Sequence, residues 1–268
     1  MISIKSAREI EIMRRGGKIL SRTLTALIGA ARPGVTTADL DRISERLMRE
    51  AGAVPTFKGY GGFPATICAS LNETVVHGIP NDRVLREGDL LSIDIGTTFE
   101  GYVTDTAITI PIGTISQAAE RLLRVTQECL MLGIAQMQRG NTLRDIAGAV
   151  QEHAEKNGYG VVRDLVGHGI GTAMHEEPQV PNYVTPASTG IKIRPGMCLA
   201  IEPMITEGTY EVRTLDDGWT VVTADGKLAA HFEHTVALTD DGPRILTLRP
   251  ILEHGDVERY RPKEEIAA

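Results

Sequence analysis

Hydrophobic and polar residues along the chain follow two alternating patterns. Stretches with apolar residues at roughly helical spacing predict four helices, which begin at Ser6-x-x-Glu9, near Thr37, at Thr114-x-x-Gln117 and at Thr142-x-x-Asp145. Short runs of β-branched or aromatic residues, separated by Gly and Pro, follow each pair of helices and predict strands. The chain therefore runs twice through the same order of two helices and then strands.

This order of elements predicts an α+β fold. The four helices would cover one face of a curved, mostly antiparallel sheet. The repeated order suggests two related halves, although no residue-level repeat is visible. No linker-like segment divides the chain, so we expect a single domain over residues 1–268, with a charged, only partly ordered tail from about residue 250.

Residues 88–109 predict a hairpin in which each arm carries an aspartate inside an apolar run. If residues 98–101 form a four-residue loop, Asp94 lies directly opposite Asp105, with Cβ atoms about 5 Å apart on one face. Two carboxylates this close repel unless a cation lies between them, and hard divalent cations prefer carboxylate oxygens. The hairpin alone is equally compatible with a solvated two-strand ribbon. A one-residue change in the turn would put the aspartates on opposite faces.

Two histidines lie in a glycine-rich stretch, His168 in VGHGIG and His175 in MHEEP. The glycines disfavour a helix, so we expect a loop whose backbone closely approaches another group. Such histidines either belong to a functional site or are hydrogen-bonded structural residues. The stretch alone leaves both alternatives open.

Two glutamates lie within strand-like apolar runs. Glu202 in CLAIEPMI requires a specific partner if it is buried, although Pro203 also allows an edge strand with this glutamate facing water. Glu233 in HFEHTVAL is flanked by His231 and His234, and strand alternation places only His231 on the same face. We interpret both flanking histidines as structural or supporting residues.

Four carboxylates thus occupy apolar strand segments: Asp94, Asp105, Glu202 and Glu233. If they converge, their charges meet in a low-dielectric site that two divalent cations would neutralise, with room for a bridging hydroxide. One histidine, most simply His168, would complete a two-metal hydrolytic site. Oxygen-rich ligation with one imidazole suits Mn²⁺, Fe²⁺ or Co²⁺ at least as well as Zn²⁺.

Composition narrows the possible classes of protein. The chain is 42% hydrophobic and 24% charged, and its net charge of −7, without a Lys/Arg run, argues against nucleic-acid binding. Its three widely spaced cysteines are typical of a reducing compartment without a disulfide framework. The amino terminus lacks a signal-peptide apolar region, and the apolar run at residues 23–31 is too short to cross a bilayer. We therefore expect a cytoplasmic protein without membrane contact.

In this order and spacing, the segments NETVVHGIP, SIDIG, GYVTDTA, GHGIG, HEEP, IEPM and FEHT resemble type I methionine aminopeptidase in its short bacterial form, over about residues 5–248. The resemblance implies the pita-bread fold, in which two pseudo-symmetric halves surround a dinuclear metal centre. It also implies a single catalytic domain with hydrolase activity, in which a metal-bound hydroxide attacks the first peptide carbonyl. The initiator methionine would be removed from nascent polypeptides whose next residue is small.

By resemblance, two divalent ions (Co, Mn, Fe, Zn or Ni) would be held by Asp94, Asp105, His168, Glu202 and Glu233, with Asp105 and Glu233 bridging. Glu202 would also be the general base. His175 would hydrogen-bond the tetrahedral intermediate, and His77 would contact the first peptide unit of the substrate. A monovalent cation near the backbone of residues 72–74 is a weaker implication. The implied partners are nascent N-termini and the ribosome, and a monomer is expected.

The resemblance places a methionine pocket at Tyr60, Phe63, Cys68 and Trp219, with His77 at its rim. Two positions depart from the family pattern. Met174 stands where family members often have an aromatic residue, and Phe63 where some have tyrosine. These departures concern the selectivity of the pocket and leave the metal ligands untouched.

Two other functions compete with this interpretation. An X-Pro-cleaving relative, aminopeptidase P or prolidase, shares the fold and the five ligand types. Such proteins usually carry an extra amino-terminal domain, for which 268 residues leave no space. A non-catalytic binding protein on the same fold would have lost metal ligands, whereas this sequence has every one.

Overall fold

The computed structural model describes residues 2–248, so the predicted tail from about residue 250 lies outside the described residues. The described part contains four helices: α1 (Ala7–Ala30), α2 (Thr37–Glu50), α3 (Gln117–Ala135) and α4 (Leu143–Lys156). It contains fifteen strands: β1 (Val54–Pro55), β2 (Ile67–Leu71), β3 (Thr74–Val76), β4 (Leu90–Phe99), β5 (Tyr102–Pro111), β6 (Gly160–Val161), β7 (Gly167–Gly169), β8 (Glu176–Val180), β9 (Cys198–Ile201), β10 (Met204–Thr206), β11 (Val212–Thr214), β12 (Val221–Thr223), β13 (Ala229–His231), β14 (His234–Thr239) and β15 (Gly242–Ile245). None of these helices combines the length and apolarity that crossing a bilayer requires.

The elements repeat in the predicted order, with α1 and α2 before β1–β5, and α3 and α4 before β6–β15. In the first half, β4 pairs with β5 along one edge and with β1 and β2 along the other. In the second half, a five-stranded sheet has the order β15-β14-β9-β7-β8, and β10 lies between β13 and β6. Strand β12 pairs with β11 and with β3 of the first half. All of these described pairings are antiparallel.

Helix starts follow the local capping signals. Reciprocal capping boxes open three helices, at Ser6 and Glu9, Thr36 and Asp39, and Thr142 and Asp145. The predicted Thr114 cap of α3 is wrong, because Ser116 caps this helix and accepts a hydrogen bond from the Ala119 N–H. The Thr114 N–H instead donates to the Glu87 carboxylate, which keeps Thr114 in the preceding turn.

A large hydrophobic cluster spans both halves. Helix α1 contributes Leu20, Leu24 and Leu27 from one face, and β4 contributes Ile93 and Ile95. Strand β4 is buried on both faces because α1 covers one face and strands of the second half lie towards the other. A strand buried on both faces reads as a nearly continuous apolar run, so a charged residue within it is brought into the interior.

Threonine side chains join β5 to the second half of the chain. Thr106 Oγ1 donates to the Glu233 carbonyl oxygen at 2.7 Å. Thr235 Oγ1 donates to the Asp105 carbonyl oxygen at 2.8 Å and accepts from the Asp105 N–H at 2.9 Å. These bonds satisfy buried polar groups and fix one register between the two segments. They therefore hold Asp105 beside Glu233.

The β4–β5 hairpin differs from its predicted register by two residues. Glu100 and Gly101 form a two-residue loop, and both have positive φ, as a hairpin turn that matches the strand twist requires. Asp105 consequently lies opposite Gly96 rather than opposite Asp94. Because side chains alternate with a period of two, this shift leaves both aspartates on one face as diagonal neighbours.

Three predicted site residues occupy different local structures than expected. His168 lies in the centre of β7 rather than in a loop, because β7 pairs with β8 and β9. Its neighbours Gly167 and Gly169 are required there, since a Cβ at either position would lie 2.4 or 2.2 Å from a carbonyl oxygen. Glu202 and Glu233 are not inside strands: Glu202 follows the last residue of β9, and Glu233 precedes the first residue of β14.

Substitution of Gly17 tests how tightly α1 packs against the backbone at Leu246. A Cβ at Gly17 would lie 2.0 Å from the Leu246 carbonyl oxygen, whereas a Cβ at Gly29 of the same helix meets no atom within 4 Å. We expect Gly17→Ala to lower the free energy of unfolding by about 1–3 kcal/mol through overpacking. Gly29→Ala should raise it by about 0.5–1 kcal/mol through helix propensity. Urea unfolding measures both changes, and an unaltered midpoint for Gly17→Ala would contradict the packing.

Candidate metal centre and substrate cavity

A cavity of about 310 Å³ is lined by residues from both halves of the chain. Every residue that the sequence assigned to the metal centre, the catalytic groups or the methionine pocket lines it: Tyr60, Phe63, Cys68, His77, Asp94, Asp105, His168, His175, Glu202, Trp219 and Glu233. The residues of the expected monovalent-cation site, 72–74, do not line this cavity. Each half supplies part of this set, so the cavity exists only when both halves are assembled.

The acidic side chains converge on His168. One ligand atom each from Asp105, His168 and Glu233 lies within 4.8 Å of the others. Glu202 Oε1 lies 3.6 Å from His168 Nε2, and Asp105 Oδ2 lies 3.9 Å from the same nitrogen. Asp94 and Asp105 are diagonal neighbours on one face of the β4–β5 ladder, and both line the cavity. The five predicted ligands therefore form one cluster.

Burial changes the proton affinity of four members of this cluster, Asp94, Asp105, His168 and Glu202. It raises the pKa of Asp94 to about 6 and that of Glu202 to about 7. Burial also raises the pKa of Asp105 well above its usual range, and the charges of Asp94 and Glu202 add to that shift. The pKa of His168 is lowered by burial, so a neutral imidazole faces the acids. Without a counter-charge, the ionised acids destabilise one another.

The cluster has the features that a divalent cation requires. The buried Oδ1 atoms of Asp94 and Asp105 have no hydrogen-bond partner among the described residues. His168 Nδ1 lies 2.9 Å from the Gly169 carbonyl oxygen and can only donate to it. This tautomer leaves the lone pair on Nε2, the nitrogen that faces the carboxylates. Carboxylate oxygens with one imidazole nitrogen are ligands for divalent cations.

Two further histidines approach the cluster from the cavity wall. His175 Nδ1 lies 2.7 Å from the Tyr60 hydroxyl, and the His175 ring is 4.4 Å from the His168 ring. His77 has a φ of 59°, which is rare outside glycine, and its ring lies 6.4 Å from that of Trp219. Burial lowers the pKa of both His77 and His175. Both are therefore neutral hydrogen-bonding groups near neutral pH.

An apolar slot adjoins the carboxylates. The rings of Phe63 and Trp219 meet edge to face at a centroid distance of 5.1 Å. Cys68 lies opposite Asp94 in the β2–β4 ladder, so it marks the boundary between the slot and the acids. Burial raises the pKa of the Cys68 thiol well above its usual range, and this residue is an apolar wall rather than a nucleophile. Met174 is buried in the same hydrophobic cluster.

Met174, which the sequence placed in the pocket as a departure from the family pattern, also lines the cavity. Six further lining residues were not assigned to the site from the sequence: Phe57, Val76, Leu165, Val166, Met204 and His231. His231 Nε2 lies 3.7 Å from Glu202 Oε2, so it faces the glutamate from the side opposite His168. Its alternation with Glu233 was the available signal for this placement. His234 instead bonds to the Thr247 hydroxyl at 2.9 Å, in keeping with a structural role. The apolar residues carry no chemical signal in the sequence.

Comparisons with known proteins agree with this geometry. Residues 11–240 match metallopeptidase family M24. Methionine aminopeptidase of Clostridium acetobutylicum is 56% identical over 249 residues, which cover 92% of this chain and 99% of that protein. The crystal structure of methionine aminopeptidase from Thermotoga maritima has a TM-score of 0.90 at 43% identity, covering 92% of this chain and 99% of that one. An Xaa-Pro dipeptidase from Bacillus anthracis, at 23% identity and a TM-score of 0.75, shares the fold and covers 92% of this chain and 63% of its own.

The fold and the buried carboxylate–histidine cluster define a metallopeptidase of the pita-bread type, which implies divalent metal ions. The chain belongs to family M24 and, within it, to the methionine aminopeptidases. The resemblance stated from the sequence and the α+β pita-bread architecture are both confirmed.

The stability of the metal-free protein should depend on pH through the buried acids. Folded Glu202 retains its proton up to a pH of about 7, whereas the unfolded chain releases it near its ordinary pKa of 4.5. Because the folded state binds more protons between these values, the free energy of unfolding should fall as the pH rises through this range. Bound divalent metal should remove most of this decrease. Thermal melts with and without Mn²⁺ measure both effects.

The Asp105→Asn variant distinguishes two effects of this carboxylate on the melting temperature: its cost in the metal-free protein and its contribution to Mn²⁺ binding. At about pH 7 the metal-free variant should melt higher than the metal-free wild type, because the neutral amide needs neither an uncompensated charge nor the uptake of a proton at this buried position. The rise in melting temperature on adding Mn²⁺ should be largely lost. Asp240→Asn, which neutralises an exposed carboxylate, is the matched control. A full Mn²⁺-induced rise in Asp105→Asn would show that Asp105 is not a ligand.

Proposed function

We propose that the protein removes the N-terminal methionine from polypeptides whose second residue is small, with two divalent cations at the carboxylate cluster. The observation that carries this proposal is the meeting, in one cavity, of a carboxylate–imidazole ligand set with an apolar slot. The methionine aminopeptidases to which the chain is similar support the same reaction. The substrates would be nascent N-termini in the cytoplasm, met at the ribosome by a monomer whose single domain carries the whole reaction.

The ligand set comprises Asp94, Asp105, His168, Glu202 and Glu233, of which Asp105 and Glu233 would contact both cations. Bound divalent cations would polarise the first peptide carbonyl and lower the pKa of a nucleophilic water. The oxygen-rich set admits Co²⁺, Mn²⁺, Fe²⁺, Ni²⁺ or Zn²⁺. A monovalent cation at the backbone of residues 72–74 remains a secondary part of the proposal.

Glu202 is the proposed general base. Its carboxylate lines the cavity beside His168 and the other proposed ligands, where it is within reach of a water bound at the cluster. It would take the proton from the attacking water and return it to the departing amine nitrogen. His168 and His231 approach its two oxygens at 3.6 and 3.7 Å and restrict its orientation.

His175 is the proposed hydrogen-bond donor to the developing oxyanion. If the Tyr60 hydroxyl donates to His175 Nδ1, the ring hydrogen resides on Nε2 and can be donated to substrate. His77 would contact the first peptide unit of the substrate. Its left-handed backbone fits this role, since strained residues often aim side chains at functional sites.

The slot lined by Phe63, Cys68, Trp219 and Tyr60 suits a methionine side chain. An unbranched thioether adapts to a narrow cavity, and sulfur–aromatic contacts add roughly 0.3–1.5 kcal/mol each. The edge-to-face pair of Phe63 and Trp219 presents aromatic surface on two sides. His77 stands beside Trp219, so the slot ends next to the group proposed to bind the peptide.

Turnover of defined peptides tests the reaction. The metal-loaded protein should hydrolyse Met-Ala-Ser and leave an X-Pro peptide intact. Glu202→Gln keeps the side-chain shape but cannot accept a proton, so kcat should fall by at least about 10²–10⁴-fold. The melting temperature of the variant, recorded in parallel, verifies that it folds. Preferential cleavage of the X-Pro peptide would favour the prolidase alternative, and near-normal turnover by Glu202→Gln would refute the base assignment.

Selectivity for methionine tests the slot independently. Phe63→Ala and Trp219→Ala should each lower the ratio of kcat/KM for Met-Ala-Ser to that for Leu-Ala-Ser, because the truncated wall no longer distinguishes shape. If these rings were only core, the variants would lose several degrees of melting temperature with an unchanged ratio. Phe99→Ala, at an aromatic residue that does not line the cavity, is the control. An unchanged ratio in both slot variants would exclude the proposed pocket.

A further inference from the structure

A lysine ahead of the first helix is buried against the loop that carries His175. Lys5 is 5% exposed, and its Nζ lies 2.5 Å from Glu176 Oε2. Burying an ammonium group is unfavourable unless a fixed partner compensates for the lost hydration. The contact joins segments 171 residues apart in the sequence, so it links the amino terminus to the cavity wall.

The other carboxylate oxygen of Glu176 accepts hydrogen bonds from the loop that carries His175. Glu176 Oε1 accepts hydrogen bonds from the Thr172 N–H at 2.7 Å, the Ala173 N–H at 3.2 Å and the Thr172 hydroxyl at 3.3 Å. One carboxylate thus closes the turn formed by residues 172–176, with His175 directly before it. The position of Glu176 therefore sets the backbone from which the His175 imidazole projects.

Lys5 is itself anchored to parts of the fold that do not belong to this loop. Its N–H donates to the Gly196 carbonyl oxygen at 2.7 Å, and the Gly196 N–H donates to the Leu238 carbonyl oxygen of β14 at 2.8 Å. The next residue, Ser6, caps α1. The ammonium consequently occupies a place determined by β14 and α1. The Lys5 ammonium group is therefore held in place independently of residues 172–176 and can fix the position of that loop.

Close packing around Lys5 restricts the movement of the Lys5–Glu176 ion pair. A Cβ at Gly171 would lie 2.3 Å from Lys5 Cε and 2.7 Å from Glu176 Oε1, so the loop backbone presses directly on both side chains. The Gly171 carbonyl oxygen also accepts the Val103 N–H of β5 at 2.7 Å. The loop is thereby held between the strand that carries Asp105 and the buried ion pair.

We propose that Lys5 is a positioning residue for the reaction. Through Glu176 it fixes the loop of residues 172–176 and keeps the His175 imidazole within reach of Tyr60 and the substrate carbonyl. The inference rests on the proposed function only for the role of His175 toward substrate. The geometric part, that the Lys5–Glu176 pair sets the position of the His175 ring, stands on the contacts alone.

The test combines three variants with a matched control. Lys5→Met keeps the length and removes the charge, and Glu176→Gln keeps the shape and serves as the milder variant if Lys5→Met folds poorly. His175→Ala removes the group that the pair is proposed to position. Arg15→Met is the control, because it breaks an exposed ion pair between α1 and Glu100 that lies outside the cavity lining.

Lys5→Met should retain its metal content and lower kcat for Met-Ala-Ser about 10- to 100-fold, the size expected for a misplacement of about 1 Å. KM should change by less than about threefold, since the His175 contact is made mainly in the transition state. In the His175→Ala background, Lys5→Met should cause no further loss of kcat. Independent, multiplying losses would overturn the inference.

The position of the ring is measured separately by NMR. The imidazole resonances of His175 should shift in Lys5→Met and in Glu176→Gln, and remain in place in Arg15→Met. The proposal would be refuted if the His175 resonances did not move in either Lys5→Met or Glu176→Gln. It would also be refuted if these variants had a lower melting temperature with normal kcat, because the ion pair would then contribute only to stability. If His175→Ala retained normal kcat, the proposed catalytic role of His175 would fail, whereas the positioning inference would still be decided by the resonances.

Discussion

Burial of several carboxylates in one cavity is the constraint on which the rest of the structure depends. Asp94, Asp105 and Glu202 each have a pKa raised by loss of solvent, so the cluster opposes folding whenever its members ionise without a cation. Metal binding therefore acts on stability and on chemistry together. The protein must hold these groups in place by other means before any metal arrives.

That support comes from hydrogen bonds between threonine hydroxyls and backbone groups, rather than from interactions among the acids themselves. Buried threonines on β5 form hydrogen bonds with residues 231–233, at the end of β13 and just before β14. Thr109, for example, donates to the His231 carbonyl oxygen at 2.9 Å and accepts its N–H at 2.8 Å. Such reciprocal bonds allow one register, and so determine which residues of the two segments meet. Neither half supplies all five proposed ligands, so these hydrogen bonds between the halves are what bring the proposed ligand set together.

Sequence patterns predicted what is local and missed what depends on distant contacts. Capping boxes and helical spacing located α1, α2 and α4, because their signals lie within a few residues. The shared face of Asp94 and Asp105 was recovered despite a wrong turn length, since an error of two residues preserves alternation. The β7 strand at His168 was missed, because its flanking glycines favour a loop locally. Only the carbonyl groups of neighbouring strands explain why no side chain fits there.

Some residues that line the cavity are held in strands, whereas others lie in loops. Cys68 faces Asp94 across the β2–β4 ladder, so the base of the slot and the first carboxylate are fixed to each other by neighbouring main-chain hydrogen bonds. Tyr60, Phe63 and His175 lie outside the strands and depend on side-chain contacts for their positions, among them the 2.7 Å bond between Tyr60 and His175. The β2–β4 ladder therefore fixes the distance from the slot to the acids. Under the proposed function, selectivity could change through the loop residues while the geometry of the proposed ligands stays the same. The departures from the family pattern at Phe63 and Met174 fall on the slot side of this division.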